Sequence, residues 1–564
     1  MNEPQSQSAA MTGAEWLARA LHQAGTRHVF FVESILRRTL VECGVLGITR
    51  VLAHSEKAAA YMADGYARIA GRPGVCMAQS VGAANLAAGL QDAFLGRSPV
   101  IALTGHKPEP FQNRNSYQEI AHAPLYRAVT KFSSPVAHAS ELPRFLRFAW
   151  SAALSGTPRP THLDLAGLQG EVIEQQTIAE PAVIAEEERR LPPHRPVADL
   201  REIERAAAAL AAARRVAIVA GEGALASGAG PEVLALAERL AAPVATALGA
   251  RGLIPTRHRL SIGVPGSYSA PPANRIVHGA DLVLYVGCDT GDQVTLNWTV
   301  PAPGTRIVQI DIDPLELGRS YPNTIGLLGD PKATLARLVE AVGRPVRDPA
   351  FAEEAARIVA DWRAAMTPLG ASAARPIRVE RLCAELTRAL PQDAILVADT
   401  GYSGIWTGTM IELNGAGQSY LRAAGSLGWS FPAALGAKCA APGRPVVCFT
   451  GDGGFYYHLA ELETARRRGI AVAVIVNNNS GFGQNLTGAR RALGNRPGTI
   501  DDLVRFGPTD FAAVARSFGV RGLRVEQAGE IAPALAEAIG AQESVVVDVV
   551  TDIEPRAPEP WIPG

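Results

Sequence analysis

The 564 residues include only six cysteines, at positions 43, 76, 288, 383, 439 and 448, and no two of them form a CxxC pair. Cysteines scattered in this way argue against a zinc cluster and a disulfide framework and fit a reducing compartment, so the expected location is cytoplasmic. Long apolar runs are missing too. Stretches such as 216–220 and 472–476 have the length of strands, far short of the ~20 residues a membrane-spanning helix needs. The opening MNEPQSQSAAM is polar and has no basic segment followed by an apolar one, so no secretory leader and no membrane partner are expected. Net charge is absent as well, since 54 basic and 54 acidic residues cancel. That balance argues against a protein built to hold nucleic acid or an anionic surface.

What is present is globular. Apolar residues make up 47 % of the chain and charged residues 19 %, enough for a large core. At roughly 150 residues per domain the length allows three or four domains. Thr12-Gly13-Ala14-Glu15 reads as a capping box that opens a helix to about residue 24. Strands at 28–32, 75–79 and 100–104 then alternate with helices at 55–69 and 85–94, the grammar of an α/β unit with a parallel sheet. A second unit, with strands at 215–220, 282–286 and 307–312, looks Rossmann-like. A third has strands at 394–398, 446–450, 473–476 and 545–549. The expected fold class is therefore α/β, with three doubly wound parallel-sheet domains. The expected organisation is a flexible N-terminus at 1–10, a first domain at 11–175, a linker at 176–199, a central domain at 200–343, a linker at 344–376, a third domain at 377–551 and a tail at 552–564.

The strongest chemical signal is Gly451-Asp452-Gly453-Gly454 at the end of one strand, followed by Asn477-Asn478-Asn479-Ser480-Gly481-Phe482-Gly483 at the end of the next. An Asp and an Asn at adjacent strand ends converge at the sheet edge where doubly wound folds bind ligands. Hard oxygen donors of this kind suit Mg²⁺ held together with phosphates, and the flanking glycines let backbone amides approach a diphosphate. Two further stretches stand out: His54-Ser55-Glu56-Lys57 leading into an apolar helix, and Arg422-Ala423-Ala424-Gly425-Ser426-Leu427-Gly428-Trp429.

Together these motifs resemble those of the thiamine diphosphate enzymes of the acetolactate synthase, 2-oxo acid decarboxylase and benzaldehyde lyase superfamily, over nearly the whole length. The resemblance implies that Asp452 and Asn479 are side-chain ligands of Mg²⁺ and that Gly481 adds a backbone carbonyl. It implies that Gly451, Gly453, Gly454, Phe482 and Gly483, with Gly401, Tyr402 and Ser403 after an earlier strand, surround the diphosphate. Glu56 would be the activating carboxylate at N1′ of the aminopyrimidine, in a first domain that binds this ring. Leu427 would wedge the cofactor into its bent shape, and the Gly425 carbonyl would hold the 4′-amino group. In this family one subunit supplies the pyrimidine end and another the diphosphate end, so a homodimer is the expected minimum and a homotetramer the larger option.

On the substrate side the candidates are Glu33, Ser34, Gly82, His106 and Gln118. Glu33 departs from the Gly-rich turn of many relatives, and an unpaired carboxylate there would repel an anionic substrate. In the central domain Gly221-Glu222-Gly223 leaves FAD or ADP open, but Gly287-Cys288-Asp289-Thr290 lacks the arginine of the flavin-dependent relatives, which disfavours a required flavin. The expected activity is formation or cleavage of a carbon–carbon bond beside a carbonyl of a small substrate, as an acetolactate synthase-like carboligase or decarboxylase of a 2-oxo acid. The alternatives are a lyase of a 2-hydroxyacyl-CoA or hydroxyketone, and a non-catalytic thiamine diphosphate- or nucleotide-binding protein.

Overall fold

The computed structural model describes residues 10–322, 324–343 and 349–564. The expected flexible segment 1–10 thus lies outside the described residues except for Ala10, as do residues 344–348 of the second linker. Three six-stranded parallel sheets carry the fold, and each buries apolar strands between layers of helices. Strands buried on both faces read as unbroken apolar runs rather than as alternating patterns, which is why GVCMA, VAIVA and LVLYV stand out in the sequence.

The first sheet comprises β1 (His28–Phe31), β2 (Thr49–Leu52), β3 (Gly74–Ala78), β4 (Val100–His106), β5 (Phe132–Val136) and β6 (Thr161–Ala166), in the spatial order β2-β1-β3-β4-β6-β5. It belongs to a compact unit that takes the chain as far as Pro193 together with Pro432–Pro442 and His458–Ile470. Helix α1 (Gly13–Gln23) starts with the expected capping box: Glu15 N donates to Thr12 Oγ1 at 3.2 Å, and Thr12 N donates to the Glu15 carboxylate at 2.8 Å. Helix α2 (Arg37–Val45) follows β1, α3 (Glu56–Ala70) follows β2, and α4 (Gly82–Leu95) follows β3. Helix α3 lies against the segment Pro432–Pro442 at two glycines. A Cβ on Gly65 would stand 2.1 Å from the Ala433 carbonyl oxygen, and one on Gly436 would stand 1.9 Å from that of Met62. Only glycine allows the two backbones to approach so closely.

The second unit holds the other two sheets. Its first sheet contains β7 (Val216–Ala220), β8 (Val244–Thr246), β9 (Ser261–Gly263), β10 (Leu282–Val286), β11 (Arg306–Asp311) and β12 (Ile325–Leu328), in the order β9-β8-β7-β10-β11-β12. That is the 3-2-1-4-5-6 arrangement of the Rossmann fold. Helices α5 (Ala350–Gly370) and α6 (Val379–Ala389) lead to the third sheet: β13 (Ile395–Ala398), β14 (Ser419–Arg422), β15 (Val446–Gly451), β16 (Ala473–Asn478), β17 (Arg521–Val525) and β18 (Val545–Val550), ordered β14-β13-β15-β16-β18-β17. Helix α7 (Tyr402–Met410) follows β13, and α8 (Gly483–Leu493) follows β16. The first and third sheets therefore repeat one strand order, as their shared sequence grammar suggested. The tail at 552–564 contains no helix or strand but is packed, with Ile553 and Ala557 buried and Trp561 edge-on to His278 at 5.2 Å.

Candidate active site

In the third sheet the winding direction changes between β13 and β15, and ligands of doubly wound folds bind at that crevice. A cavity of 220 Å³ opens there. The turn after β13 contributes Gly401, Tyr402 and Ser403, the turn after β15 contributes Gly451, Asp452, Gly453 and Gly454, and the turn after β16 contributes Asn479, Gly481, Phe482 and Gly483. Gly425 and Leu427 complete the wall. Every third-domain residue expected at the cofactor thus lines one cavity. Leu427 is half-buried on its wall rather than part of a core cluster, and Gly425 is exposed.

The polar floor is specific. The Asp452 carboxylate is 2 % exposed and accepts amide hydrogen bonds from Gly453 at 2.7 Å and Gly481 at 3.1 Å. Burial pushes its carboxyl up to about 6, against the amide hydrogen bonds that pull it down. Of the three consecutive asparagines, the first two serve the fold. Asn477 Oδ1 accepts from the Thr551 hydroxyl at 2.6 Å, and Asn478 Nδ2 donates to Asp548 at 2.8 Å and to the Thr509 carbonyl at 2.9 Å. Asn479 Oδ1 is buried and has no hydrogen-bond partner. A buried carboxylate beside an orphaned amide oxygen and the Gly481 turn is a hard-oxygen donor set that fits Mg²⁺. Among the described residues no group of three or more His, Cys, Asp or Glu side chains could hold a metal, so a cation here depends on amide and backbone oxygens as well as on Asp452.

Glycine is required at several of these turns. Gly401 has φ +68°, and a Cβ on it would meet Gln484 Oε1 at 2.8 Å, while a Cβ on Gly453 would lie 2.4 Å from the Phe482 ring. Asp399 opens the segment 399–404 that resembles a diphosphate loop, and the sequence alone gives it no individual contact. It is buried at the end of β13 and accepts from Thr400 N, Gly428 N, Ser430 N and the Ser430 hydroxyl, so it ties the Leu427 loop to the sheet. Burial raises its pKa despite those bonds. Tyr268, from the neighbouring Rossmann-like domain, also lines the cavity and accepts from Gln484 Nε2 at 3.2 Å. No local signal marks it, because it arrives from more than a hundred residues away in sequence.

In the other unit Glu56 is the first residue of α3 and accepts from Asn85 Nδ2 at 3.2 Å. A Cβ on Gly82 would stand 2.5 Å from Glu56 Oε1, so the glycine leaves the room that the carboxylate occupies. Near it, the Ser80 hydroxyl donates to the Gln118 carbonyl at 2.6 Å, and Gln118 has φ +59°. The Ser80 carbonyl accepts from His122 Nε2 at 2.8 Å, while His122 Nδ1 meets Asp164 at 3.0 Å. Both His122 nitrogens face acceptors, which requires the doubly protonated ring. Burial alone would lower the His122 pKa, but the bonds to Asp164 and Ser80 raise it. His106 Nδ1 lies 3.5 Å from the same Asp164. His106 and Gln118 are therefore linked through Ser80, His122 and Asp164, Gly82 adjoins Glu56, and Glu33 and Ser34, after β1, share none of these bonds. Glu33 is not a bare carboxylate: Arg37 Nη2 donates to it at 3.2 Å and the Ser34 hydroxyl at 3.0 Å, and the Arg37 hydrogen bonds hold its pKa down at about 2. Ser34 has φ +87°, a left-handed conformation that costs strain outside glycine.

Three family models match: the N-terminal TPP binding domain of thiamine pyrophosphate enzymes over residues 11–125, the central domain over 203–338, and the C-terminal TPP binding domain over 399–549. A probable acetolactate synthase large subunit of Methanocaldococcus jannaschii is 32 % identical, covering 98 % of this chain and 94 % of that protein. The acetolactate synthase isozyme 1 large subunit of Escherichia coli is 30 % identical over 98 % and 96 % of the two chains. A probable 2-ketoarginine decarboxylase of Pseudomonas aeruginosa is 33 % identical over 85 % and 84 %. Among the described residues no helix is long and apolar enough to cross a membrane. With thiamine pyrophosphate domains along its length and acetolactate synthase subunits as full-length relatives, the chain belongs to the thiamine diphosphate-dependent enzymes of the acetolactate synthase family, as a carboligase or decarboxylase.

Proposed function

We propose that this enzyme is Mg²⁺-dependent and acts on a 2-oxo acid in the cytoplasm, as a homodimer or homotetramer. One observation carries the reading: the buried Asp452 carboxylate and the unpartnered Asn479 Oδ1 face one glycine-walled cavity at the switch point of the third sheet. Asn479 rather than Asn478 is the metal ligand, because Asn479 lines the cavity, while Asn478 does not and has its Nδ2 held by Asp548 and Thr509. Asp452, Asn479 and the Gly481 carbonyl hold Mg²⁺, and the amides of the turns at 401–403 and 451–454 hold the diphosphate oxygens.

Thiamine diphosphate, when bound, supplies the electron sink that lets a bond beside a carbonyl break or form. The chain's own residues orient and protonate. Leu427 and Gly425 line the cavity and would hold the cofactor there, the Gly425 carbonyl as an acceptor for its amino group. Glu56 of a second copy holds the proton at N1′ of the pyrimidine, a role its hydrogen bond to Asn85 keeps oriented. Arg37 neutralises Glu33 and so removes the repulsion an unpaired carboxylate would exert on an anionic substrate. Gly82, His106, Gln118, Glu33 and Ser34 form the substrate side. The central domain needs no nucleotide in this reading, since its turn at 287–290 carries no cation.

Carbon dioxide release from a panel of 2-oxo acids, measured on wild type and on Glu56→Gln, tests the proposal. The wild type turns over at least one acid only with Mg²⁺ and thiamine diphosphate present, while Glu56→Gln binds the cofactor but does not turn over. Turnover confined to a 2-hydroxyacyl-CoA or a hydroxyketone would overturn the 2-oxo acid reading, and full activity of Glu56→Gln would overturn the role of Glu56.

A further inference from the structure

A second, larger cavity of 460 Å³ shares no lining residue with the first and is lined by the ends of β8 and β9, by α5 and α6, and by the last turn of α7. Its volume falls within the ~300–1,000 Å³ of small-molecule sites. The wall is divided chemically. One part is apolar, with Ile254, Ile262, Val359, Trp362, Met366 and Met410. The other part is cationic.

Arg251 is 5 % exposed and points its guanidinium at the Thr407 and Ile411 carbonyls, which uses two of the five N–H donors such a group carries. Arg257 donates to Glu412 at 2.6 Å, and Arg363 sits 4.0 Å from the same carboxylate while donating to the Thr256 carbonyl at 2.8 Å. Two guanidinium groups thus share one carboxylate, and the third meets carbonyl oxygens instead. On the facing helix α6, Arg388 and Arg381 both pair with Glu385, and Glu380 is taken by Arg378, so the excess of positive charge is not cancelled from that side. Burial lowers the pKa of Arg251 and of Arg363, consistent with cations lacking a full complement of anions.

We propose that this cavity is a second binding site, for a small organic anion with a carboxylate or phosphate head against Arg251, Arg257 and Arg363 and an aromatic or branched apolar body against Trp362 and Met366. Guanidinium groups match both head groups in geometry and charge, and the apolar wall accounts for the body. The site is also connected to the cofactor cavity. Helix α7 presents Tyr402 and Ser403 to the cofactor cavity at its first turn and Gly408, Thr409 and Met410 to this one at its last. An anion that draws Arg251 away from the Thr407 and Ile411 carbonyls alters the capping of that same helix, so occupancy here changes thiamine diphosphate affinity and the reverse holds by linkage. The coupling rests on the cofactor reading above; the binding itself does not.

Isothermal titration calorimetry on the full chain tests both parts, with 4-phenylbutyrate, phenyl phosphate, inorganic phosphate and the neutral 4-phenyl-1-butanol as probes. The two amphipathic anions are expected to bind one per chain and at least about tenfold more tightly than the alcohol or inorganic phosphate, and their ranking identifies the head group. Arg363→Gln and Arg257→Gln weaken them about tenfold or more, as expected for loss of a charged hydrogen bond, and Thr367→Trp blocks the cavity. Equal binding of the alcohol, unchanged affinity in both arginine variants, or no anion binding overturns the proposal. Anion binding that vanishes in Asp452→Ala places the probe in the cofactor cavity and also overturns it. Saturating 4-phenylbutyrate shifts the thiamine diphosphate Kd about fivefold or more in either direction, whereas an unchanged Kd refutes the coupling.

Discussion

Alanine substitution at adjacent asparagines separates structural from metal-binding roles within one turn. Asn478 is 4 % exposed, and its amide makes two hydrogen bonds, one to the Asp548 carboxylate and one to the Thr509 carbonyl. A neutral hydrogen bond contributes about 0.5–1.5 kcal/mol and one to a charged group about 1.5–3 kcal/mol, so Asn478→Ala should cost about 2–4.5 kcal/mol of stability. Asp548 is itself fully buried, and Phe511 N and Arg524 bond only its Oδ2, so the Oδ1 that Asn478 serves loses its donor and the loss falls toward the upper end of that range. Asn479 Oδ1 has no partner in the fold. Removing an unsatisfied acceptor leaves stability within about 0.5 kcal/mol in metal-free protein, while losing a first ligand weakens Mg²⁺ by at least the 10–100-fold typical of lost supporting contacts. Urea unfolding in EDTA reads the first quantity, and Mg²⁺ titration of thiamine diphosphate binding reads the second. If Asn479→Ala destabilises the metal-free chain as much as Asn478→Ala and leaves the Mg²⁺ requirement unchanged, the assignment of the two side chains is refuted.

Other outcomes follow from the same geometry. Asp452→Ala should abolish Mg²⁺-dependent cofactor binding, measurable by equilibrium dialysis, and undiminished affinity would contradict its place at the metal. Gly401→Ala, at φ +68° and with its Cβ 2.8 Å from Gln484, should lose about 1–2 kcal/mol and bind thiamine diphosphate more weakly; unchanged values of both would show that the turn tolerates a side chain. The His122–Asp164 pair predicts a pH dependence. The His122 pKa is raised in the fold, so its contribution is complete below its unfolded value of about 6.5 and is lost as pH rises through the folded value. The stability gap between wild type and His122→Asn, from denaturant midpoints, should therefore be larger at pH 5.5 than at pH 8.5, and a gap that grows with pH would invert the argument. The groups facing His122 there are Asp164 and the Ser80 carbonyl.

Much of the architecture was readable because parallel strands buried on both faces announce themselves. Val446–Gly451 and Ala473–Asn478 are apolar runs that end in Gly-Asp-Gly and Asn-rich turns, so element type and chemistry coincided at the same residues. Several of the strands that went unread are of a different kind. Val244–Thr246 has three residues, Phe132–Val136 is an edge strand containing Pro135 and two serines, and Ser419–Arg422 is short and polar at both ends. Their pairing comes from neighbouring strands rather than from local pattern. The Glu33–Arg37 ion pair lies at helical spacing, i and i+4, but the turn that aims Glu33 at it depends on the left-handed Ser34, which local sequence does not disclose. Which of the three asparagines brings an unbonded oxygen to the cavity depends on Thr551, which occupies the Asn477 oxygen, and on Asp548 and Thr509, which hold the Asn478 Nδ2, all distant in sequence.

The most direct test of the central claim is mass spectrometry of the cofactor recovered after mixing Mg²⁺- and thiamine diphosphate-loaded enzyme with 2-oxo acids, aldehydes, hydroxyketones and hydroxyacyl-CoA thioesters. A mass increment on thiamine diphosphate from at least one 2-oxo acid, absent when Glu56 is replaced by Gln, is the predicted result. An increment only from a hydroxyketone or thioester, with every 2-oxo acid inert, would contradict the account.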